Sequence, residues 1–238
     1  MNKKVKLSLI ISVVTVIVLF GSFLIYVVAG YKADADAEAL LDAENVEVMD
    51  GYIRVSSGVK NGAALIFYPG ANVEYTAYLP LLSQLADRGI TCYLVRMPFN
   101  MAIMGVDRAD KVLEAHGDEH SLWIIGGHSL GGAMASQYAS ENAERIDGLL
   151  LFGSYPYAEY PEEKTLAIYG SLNTSVEEEL ASQDYQGKTY VIEGGNHAYF
   201  GNYGEQAGDS VGEISREAQQ REAVSVTVIF VLELAVGK

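Results

Sequence analysis

Residues 122–132, Leu122-Trp-Ile-Ile-Gly-Gly-His-Ser-Leu-Gly-Gly132, carry the clearest structural signal in this chain. The apolar run at the start predicts a buried strand, and the small residues that follow it predict the beginning of a helix. Between them lies Gly127-His-Ser-Leu-Gly131, which has the form G-x-S-x-G. Between a strand and a helix, this pattern is typical of a nucleophile elbow, a sharp turn that exposes the serine hydroxyl. Ser129 is therefore the candidate nucleophile.

Apolar runs and helical segments alternate on both sides of this stretch. Residues 63–68, 91–96, 148–152, 166–169 and 189–192 predict strands, and residues 75–88, 106–116, 131–145, 176–182 and 214–236 predict helices. Continuous apolar strands separated by helices are typical of a parallel sheet covered on both faces. We therefore expect an α/β fold with a mostly parallel twisted sheet. Functional residues of such sheets lie beyond the carboxyl ends of the strands.

The N-terminal region contains a long apolar segment. Residues 7–30 hold no charged side chain, and as a helix they are long enough to cross a hydrocarbon core of about 30 Å. Lysines precede the segment and acidic residues follow it, which by the positive-inside rule keeps residues 1–6 cytosolic. We expect a transmembrane anchor over 7–30, an acidic stalk over 31–48 and an extracytoplasmic domain over 49–238.

Two other interpretations of the apolar segment stay open. The small residues of Ala33-Asp-Ala35 and Ala35-Asp-Ala37 fit cleavage sites of a secretory signal peptide, although the apolar run is longer than a usual signal core. A buried core helix is the third interpretation, and the absence of a polar face on the run argues against it.

The charge of the chain argues against one class of partner. The first 32 residues contain four of the 16 basic residues and none of the 31 acidic ones, so the remainder has a net charge of −19. Such an acidic domain repels phosphate backbones, and we expect no binding to nucleic acid. The apolar segment is the expected contact with the membrane. Cys92, the only cysteine, is expected to be a buried thiol.

Three segments in order carry a resemblance to a known family. They are Phe67-Tyr-Pro-Gly-Ala-Asn-Val-Glu74, the elbow at Ser129, and Gly194-Gly-Asn-His-Ala-Tyr-Phe-Gly201. Over residues 60–235 the chain resembles the α/β-hydrolase family, in particular its compact, lid-less fold-5 branch. About a dozen residues separate two predicted strands where lid domains of this family are inserted, which implies an open site.

The resemblance implies roles for individual residues. A serine nucleophile needs an adjacent base, and His197 follows the last strand as the family's histidine does. The backbone N–H groups of Leu130 and Ala71 correspond to the oxyanion hole. The triad acid of the family follows the next-to-last strand in a G-x-x-D pattern, but this chain has Gly170-Ser-Leu-Asn173.

Asn173 therefore leaves three interpretations open. Its amide oxygen can orient the imidazole without a charge, as asparagine does in cysteine proteases. A carboxylate elsewhere, from Glu159, Glu162 or Glu177, can take the place of the acid. In the third interpretation the site is catalytically inactive and binds ligands.

Two further histidines have a spacing that can suit a metal on a helix. His116 and His120 lie four residues apart, but Gly117 interrupts the helix between them. We expect neither a metal nor an organic cofactor.

The function predicted from these patterns is a membrane-anchored extracytoplasmic serine hydrolase. It would act on a small-molecule carboxylic ester through an acyl-enzyme at Ser129. The alternatives are an inactive ligand-binding module and an acyltransferase on the same scaffold.

Overall fold

The computed structural model describes residues 2–59 and 61–237. Met1 of the predicted cytosolic segment, and Lys60 and Lys238 of the predicted domain, lie outside the described residues. The chain divides into two compact units, Met1–Gly30 and Tyr31–Lys238.

The helices are α1 (Lys3–Val28), α2 (Ala35–Ala39), α3 (Leu79–Asp87), α4 (Ala109–His116), α5 (Leu130–Glu141), α6 (Thr174–Ser182) and α7 (Arg216–Val236). The strands are β1 (Val46–Met49), β2 (Tyr52–Val55), β3 (Ala63–Tyr68), β4 (Thr91–Val95), β5 (Leu122–His128), β6 (Gly148–Phe152), β7 (Thr165–Gly170) and β8 (Lys188–Ile192). Short 3₁₀ turns connect several of these elements.

In the described part of the second unit, eight strands form one sheet in the order β1-β2-β4-β3-β5-β6-β7-β8. Strands β3 to β8 are parallel to one another, while β1 and β2 form a hairpin at one edge in which β2 pairs antiparallel with both β1 and β4. The predicted fold class, a mostly parallel sheet with helices on both faces, is confirmed. The carboxyl ends of β3, β5, β7 and β8 lead into the segments that hold the candidate site residues.

Alternate residues of the central strands face two separate cores. In β3, Leu65 and Phe67 belong to the core under α3 and α7, whereas Ile66 and Tyr68 belong to the core under α4, α5 and α6. This division follows from the two-residue period of a strand, which sends successive side chains to opposite faces. Cys92 of β4 is fully buried, and burial raises the pKa of its thiol.

The first unit is the helix α1. Its residues Lys4–Ser22 have a mean hydropathy of 2.3, and none of this window is buried. Length and composition fit a membrane span or a signal sequence. The interpretation as a buried core helix is wrong, because the side chains of this window pack into no core.

Residues 31–48 differ from the predicted acidic stalk. They begin the second compact unit, and Asp34 caps α2 by accepting a hydrogen bond from the N–H of Ala37 at 2.9 Å. Ala37 is completely buried, and Tyr31 and Leu41 pack against the core beneath α3 and α7. A few small and apolar side chains suffice for this packing, so no strong apolar period marks the segment.

Candidate active site

Ser129 occupies the turn between β5 and α5 in a strained backbone conformation, with φ of 53° and ψ of −126°. Positive φ values are costly for residues other than glycine and persist only where the surroundings impose them. Two hydrogen bonds do so here. The N–H of Ser129 donates to the carbonyl of Phe152 at 3.0 Å, and the Ser154 hydroxyl donates to the Ser129 carbonyl at 2.8 Å.

The glycines of the elbow let it press against the end of β3. A Cβ atom at Gly131 would overlap the carbonyl oxygens of Tyr68 and Pro69. The start of α5 therefore lies directly beside the loop that follows β3. Leu130 is the first residue of α5, and an N–H in the first turn of a helix has no intrahelical acceptor. Within the described residues, the Leu130 N–H donates to no other protein group.

The loop after β3 carries the second predicted oxyanion donor, Ala71. On one side of it, the Gly70 N–H donates to the Tyr78 hydroxyl at 3.0 Å, and on the other the Asn72 N–H donates to the Asn100 carbonyl at 2.8 Å. In the described part of the chain, the Ala71 N–H between them makes no hydrogen bond to the protein. The loop is thus fixed on both sides of a donor that stays available to a ligand.

His197 lies in the loop between β8 and α7, and its backbone is held from two directions. The Asp209 carboxylate accepts the N–H groups of His197 and Ala198 at 3.2 and 2.8 Å. The side chain of the fully buried Gln219 accepts the N–H of Asn196 at 3.0 Å and donates to its carbonyl at 2.9 Å. No motif in the sequence marks Asp209, because eleven residues, 198–208, separate it from the histidine.

Asn173 follows β7 and meets the imidazole of His197. Its side-chain amide lies 2.8 Å from His197 Nδ1, and the Ser175 hydroxyl donates to its other end, Oδ1, at 2.9 Å. The approach depends on two glycines, because a Cβ atom at Gly170 would overlap the carbonyl group of Gly195. The structure therefore brings the predicted Asn173 and His197 together.

The amide of Asn173 can bond to either neutral form of His197. Its NH₂ group donates to an unprotonated Nδ1, which leaves the proton on Nε2. Turned over, its oxygen accepts from Nδ1–H and leaves Nε2 free to act as a base. The Ser175 hydroxyl serves both arrangements, since it can donate to the oxygen or accept from the NH₂ group. A carboxylate would accept only, and would enforce the second form.

His128, the residue before the nucleophile, links three loops of the site. Its Nε2–H donates to the His197 carbonyl at 3.0 Å, while its Nδ1 lies 2.8 Å from the Tyr78 hydroxyl, which also accepts the Gly70 N–H. Burial, and then the neighbouring His197, lower the pKa of His128 well below 6.5. The ring is therefore neutral, with the proton on Nε2, and the Tyr78 hydroxyl donates to Nδ1.

The imidazole of His197 lies against the elbow. Its ring centroid is 4.6 Å from that of His128. A Cβ atom at Gly153 would lie 3.1 Å from Nδ1 of His197, and Gly153 directly follows Phe152, whose carbonyl accepts the Ser129 N–H. In the described residues, Ser129 and His197 share no side-chain hydrogen bond. Catalytic hydrogen bonds are often longer before substrate binds. Burial lowers the pKa of His197, and the charge of Asp209 opposes this.

The glutamates proposed as substitute acids lie elsewhere. Glu159 and Glu162 line a separate surface depression with Tyr157 and Tyr185, and Glu177 lies in the first turn of α6. Among the described residues, none of the three bonds to His197. The prediction that one of them replaces Asn173 is therefore wrong. The carboxylate nearest to this role is Asp209, which binds the histidine's backbone rather than its ring.

His116 and His120 each bond to a tyrosine. Nε2 of His116 lies 2.8 Å from the Tyr52 hydroxyl, and Nε2 of His120 lies 2.8 Å from that of Tyr93. Nδ1 of His116 pairs with Glu119 at 2.7 Å. Over residues 2–59 and 61–237, no three His, Cys, Asp or Glu side chains are grouped as metal ligands.

Comparisons with known proteins agree with this geometry. The sequence profile of the alpha/beta hydrolase family matches residues 64–221. A protein named as a non-heme haloperoxidase from Mycobacterium phage D29 is 25% identical over 138 residues, which are 54% of this chain and 49% of that protein. The chain thus matches about half the length of this relative.

Solved structures with the same fold include TT1662 from Thermus thermophilus, with a TM-score of 0.57 and 15% identity over 79% of this chain and 97% of that one. A ferulic acid esterase from Streptomyces cinnamoneus has a TM-score of 0.54 and 17% identity over 74% and 67% of the two chains. A monoglyceride lipase from Saccharomyces cerevisiae has a TM-score of 0.53 and 10% identity over 79% and 94%.

Proposed function

Because the chain belongs to the alpha/beta hydrolase family, we propose that it is a serine hydrolase that cleaves carboxylic esters through an acyl-enzyme at Ser129. One observation carries the proposal. The strained elbow carries Ser129, the imidazole of His197 lies 4.6 Å from that of the preceding His128, and Asn173 bonds to the His197 imidazole at 2.8 Å. This arrangement supports the roles of nucleophile for Ser129, base for His197 and orienting group for Asn173.

The reaction follows from these positions. Nε2 of His197 takes the proton of Ser129 Oγ as this oxygen attacks the ester carbonyl, and the N–H groups of Ala71 and Leu130 bind the oxyanion. The tetrahedral intermediate collapses when His197 returns the proton to the leaving alcohol. A water molecule, deprotonated by His197, then attacks the acyl-enzyme, and the proton passes back to Ser129 with release of the acid.

Asn173 sets the level of activity. An amide orients the imidazole but brings no negative charge to stabilise the imidazolium that forms during catalysis. In the general serine-protease case, replacing the triad Asp by Asn lowers turnover by about 10⁴ because the wrong histidine tautomer is stabilised. We therefore expect slow hydrolysis of ordinary alkyl esters.

The substrate is a small ester that enters an open site. Twelve residues, 153–164, connect β6 to β7, and they are too few to form a separate lid domain. The names of two structures with the same fold, a ferulic acid esterase and a monoglyceride lipase, are consistent with ester substrates. No cofactor takes part in the proposed reaction.

We also propose that α1 is retained as a single membrane span, with the hydrolase domain on the extracytoplasmic side. Its apolar window and the lysines at positions 3, 4 and 6 support this orientation. Fractionation of cells, followed by protease treatment of intact cells or spheroplasts, tests it. Release of the protein into the soluble fraction would indicate cleavage, and protection from protease would indicate the opposite orientation.

The catalytic proposal is tested by labelling the full-length protein in detergent with a fluorophosphonate. We expect covalent attachment at Ser129, loss of labelling in Ser129→Ala, and turnover of p-nitrophenyl esters. A folded protein that shows neither labelling nor turnover would be a ligand-binding module, the alternative that Asn173 favours. Products formed with a competing alcohol distinguish hydrolysis from acyl transfer.

A further inference from the structure

Residues 31–34, which follow α1 in the chain, bond to both loops that carry the proposed catalytic groups. We call this segment the strap. It touches the loop after β3, which holds Ala71, and the loop after β8, which holds His197. These two loops are more than 120 positions apart in the sequence, so contacts with a third segment are an effective way to fix one against the other.

The first contact of the strap is a short parallel bridge. The N–H of Tyr31 donates to the Asn72 carbonyl at 2.8 Å, and the Tyr31 carbonyl accepts the Glu74 N–H at 2.8 Å, so that Tyr31 pairs with Val73. Asn72 is the residue directly after Ala71. The bridge therefore fixes the backbone one peptide away from the proposed oxyanion donor.

The second contact involves Asp34 and the loop that follows His197. The Asp34 N–H donates to the Asn202 carbonyl at 2.9 Å, and the Asn202 amide donates back to the Asp34 carboxylate at 3.2 Å. The same carboxylate pairs with Arg216 at 2.7 Å. Tyr31 adds a third link, because its hydroxyl accepts the N–H of Ala207 at 3.0 Å.

We propose that the strap is a positioning element of the active site, which holds the Ala71 donor in register with the loop of His197. This inference rests on the proposed hydrolase function. Oxyanion donors act only when they are preorganised around the developing charge. Through Tyr31 and Asp34, the strap adds to the bonds that already hold each loop and links the two loops through one segment.

The strap also has a consequence for processing of the chain. Cleavage after Ala35, at one of the small-x-small sequences, would remove both Tyr31 and Asp34 together with the bonds they make. On this proposal, the active form of the enzyme keeps Tyr31 and Asp34 and is not cleaved after Ala35.

The test compares two isosteric substitutions in the full-length protein in detergent. Asp34→Asn places an amide NH₂ or a neutral oxygen opposite Arg216 and Asn202. Asp36→Asn, two residues away, removes the same charge from an exposed side chain. We expect Asp34→Asn to lower the rate constant of fluorophosphonate labelling and kcat at least tenfold, with little change in KM. Asp36→Asn should match the wild type.

Hydrogen–deuterium exchange of peptides covering 70–78 and 196–207 supplies a second readout. Faster exchange in Asp34→Asn with an unchanged labelling rate would overturn the positioning role and leave a structural one. If the wild type is not labelled at all, the proposed function fails. If hydrogen exchange in Asp34→Asn is then also the same as in the wild type, the strap does not hold the two loops either. Should Asp34→Asn not fold, Tyr31→Phe removes one hydroxyl from the same contact and is expected to lower the labelling rate less strongly.

Discussion

The side chain of Asn173 lies 2.8 Å from Nδ1 of His197, where the triad acid of a serine hydrolase would bond to the imidazole. The contact keeps the ring in place, and the Ser175 hydroxyl satisfies the opposite end of the amide. Asn173 and His197 therefore have the geometry of a histidine–acid pair without its negative charge. The missing charge at this position affects both the tautomer and the pKa of His197.

Asn173→Asp should increase the activity. The carboxylate accepts only from Nδ1–H, so it enforces the tautomer with a free Nε2, and its charge stabilises the imidazolium. We expect kcat for an alkyl ester to rise at least about tenfold, given the general cost of the reverse change. The added charge also raises the pKa of His197, so the acidic limb of the kcat/KM profile should move to higher pH.

The control for this substitution is Asn173→Ala, which removes the contact with the ring and should lower kcat below that of the wild type. Equal activity of the Ala, Asn and Asp forms would show that this position does not orient His197.

Asp209→Asn should move the pH profile in the opposite direction. The charge of Asp209 acts against the effect of burial and raises the pKa of His197. Without this charge the histidine stays neutral at lower pH, so the acidic limb of the kcat/KM profile moves to lower pH. Because the histidine is then a weaker base, kcat/KM on the plateau falls by about 2- to 10-fold. Asp118→Asn, at an exposed position, is the control for net charge. If the plateau of kcat/KM falls but the acidic limb stays at the same pH, Asp209 acts only by holding the loop in place.

Tyr78→Phe should reduce both stability and turnover. It leaves the Gly70 N–H and Nδ1 of His128 without their partner in the buried interior, at a cost of about 1–3 kcal/mol for each group. Because Gly70 precedes the Ala71 donor, kcat should also fall. Urea denaturation and ester kinetics measure the two effects.

Tyr138→Phe is the matched control for that substitution. The Tyr138 side chain is also buried, and its hydroxyl donates to Asp110 at 2.7 Å, in the core under α4, α5 and α6. It should lower stability without changing kcat. If Tyr78→Phe and Tyr138→Phe change kcat equally, Tyr78 has no particular role in positioning the Ala71 donor.

The free energy of unfolding should fall as the pH drops below about 6.5. Burial lowers the pKa values of His128 and His197 in the folded protein, so between the unfolded and folded pKa values the unfolded chain binds more protons. The slope is at most about 1.4 kcal/mol per pH unit for each histidine. Denaturant titrations between pH 7 and 5 measure it, and His128→Gln should flatten the curve. A slope identical to the wild type would contradict the assignment to His128.

Ser129→Gly and Ser129→Ala should both abolish activity but differ in stability. Glycine adopts the positive φ of the elbow without strain, whereas alanine keeps the strain. We expect the glycine variant to be more stable than the alanine variant by about 1 kcal/mol in urea denaturation. A more stable alanine variant would mean that the elbow stores no backbone strain.

Much of the fold could be predicted because its signals are local. The apolar runs of β3 to β7 and the glycines around Ser129 specify a buried parallel sheet and a sharp turn without reference to distant residues. Element ends were less certain. The helix after the elbow ends at Glu141 rather than near Arg145, and the last helix begins at Arg216 rather than at Ile214.

The residues that support the site could not be predicted in this way. Tyr78 meets His128 across 50 positions, and Tyr31 meets Ala207 across 176, and no short motif records such pairings. Asp209 lies in an irregular loop, so neither periodicity nor a known pattern marked it. Asn173 was accessible to sequence reasoning because family position, rather than local pattern, pointed to it.

The contact between Gly170 and Gly195 limits how this sequence can evolve. Both residues lie at the carboxyl edge of the sheet, away from the centre of either core, and the overlap that a methyl group at Gly170 would create is relieved most easily by moving the two loops apart. Such a mutation would separate Asn173 from His197 while the eight strands stay paired. Selection for a folded protein alone would tolerate it, so a glycine pair kept in related sequences would indicate selection for the reaction itself.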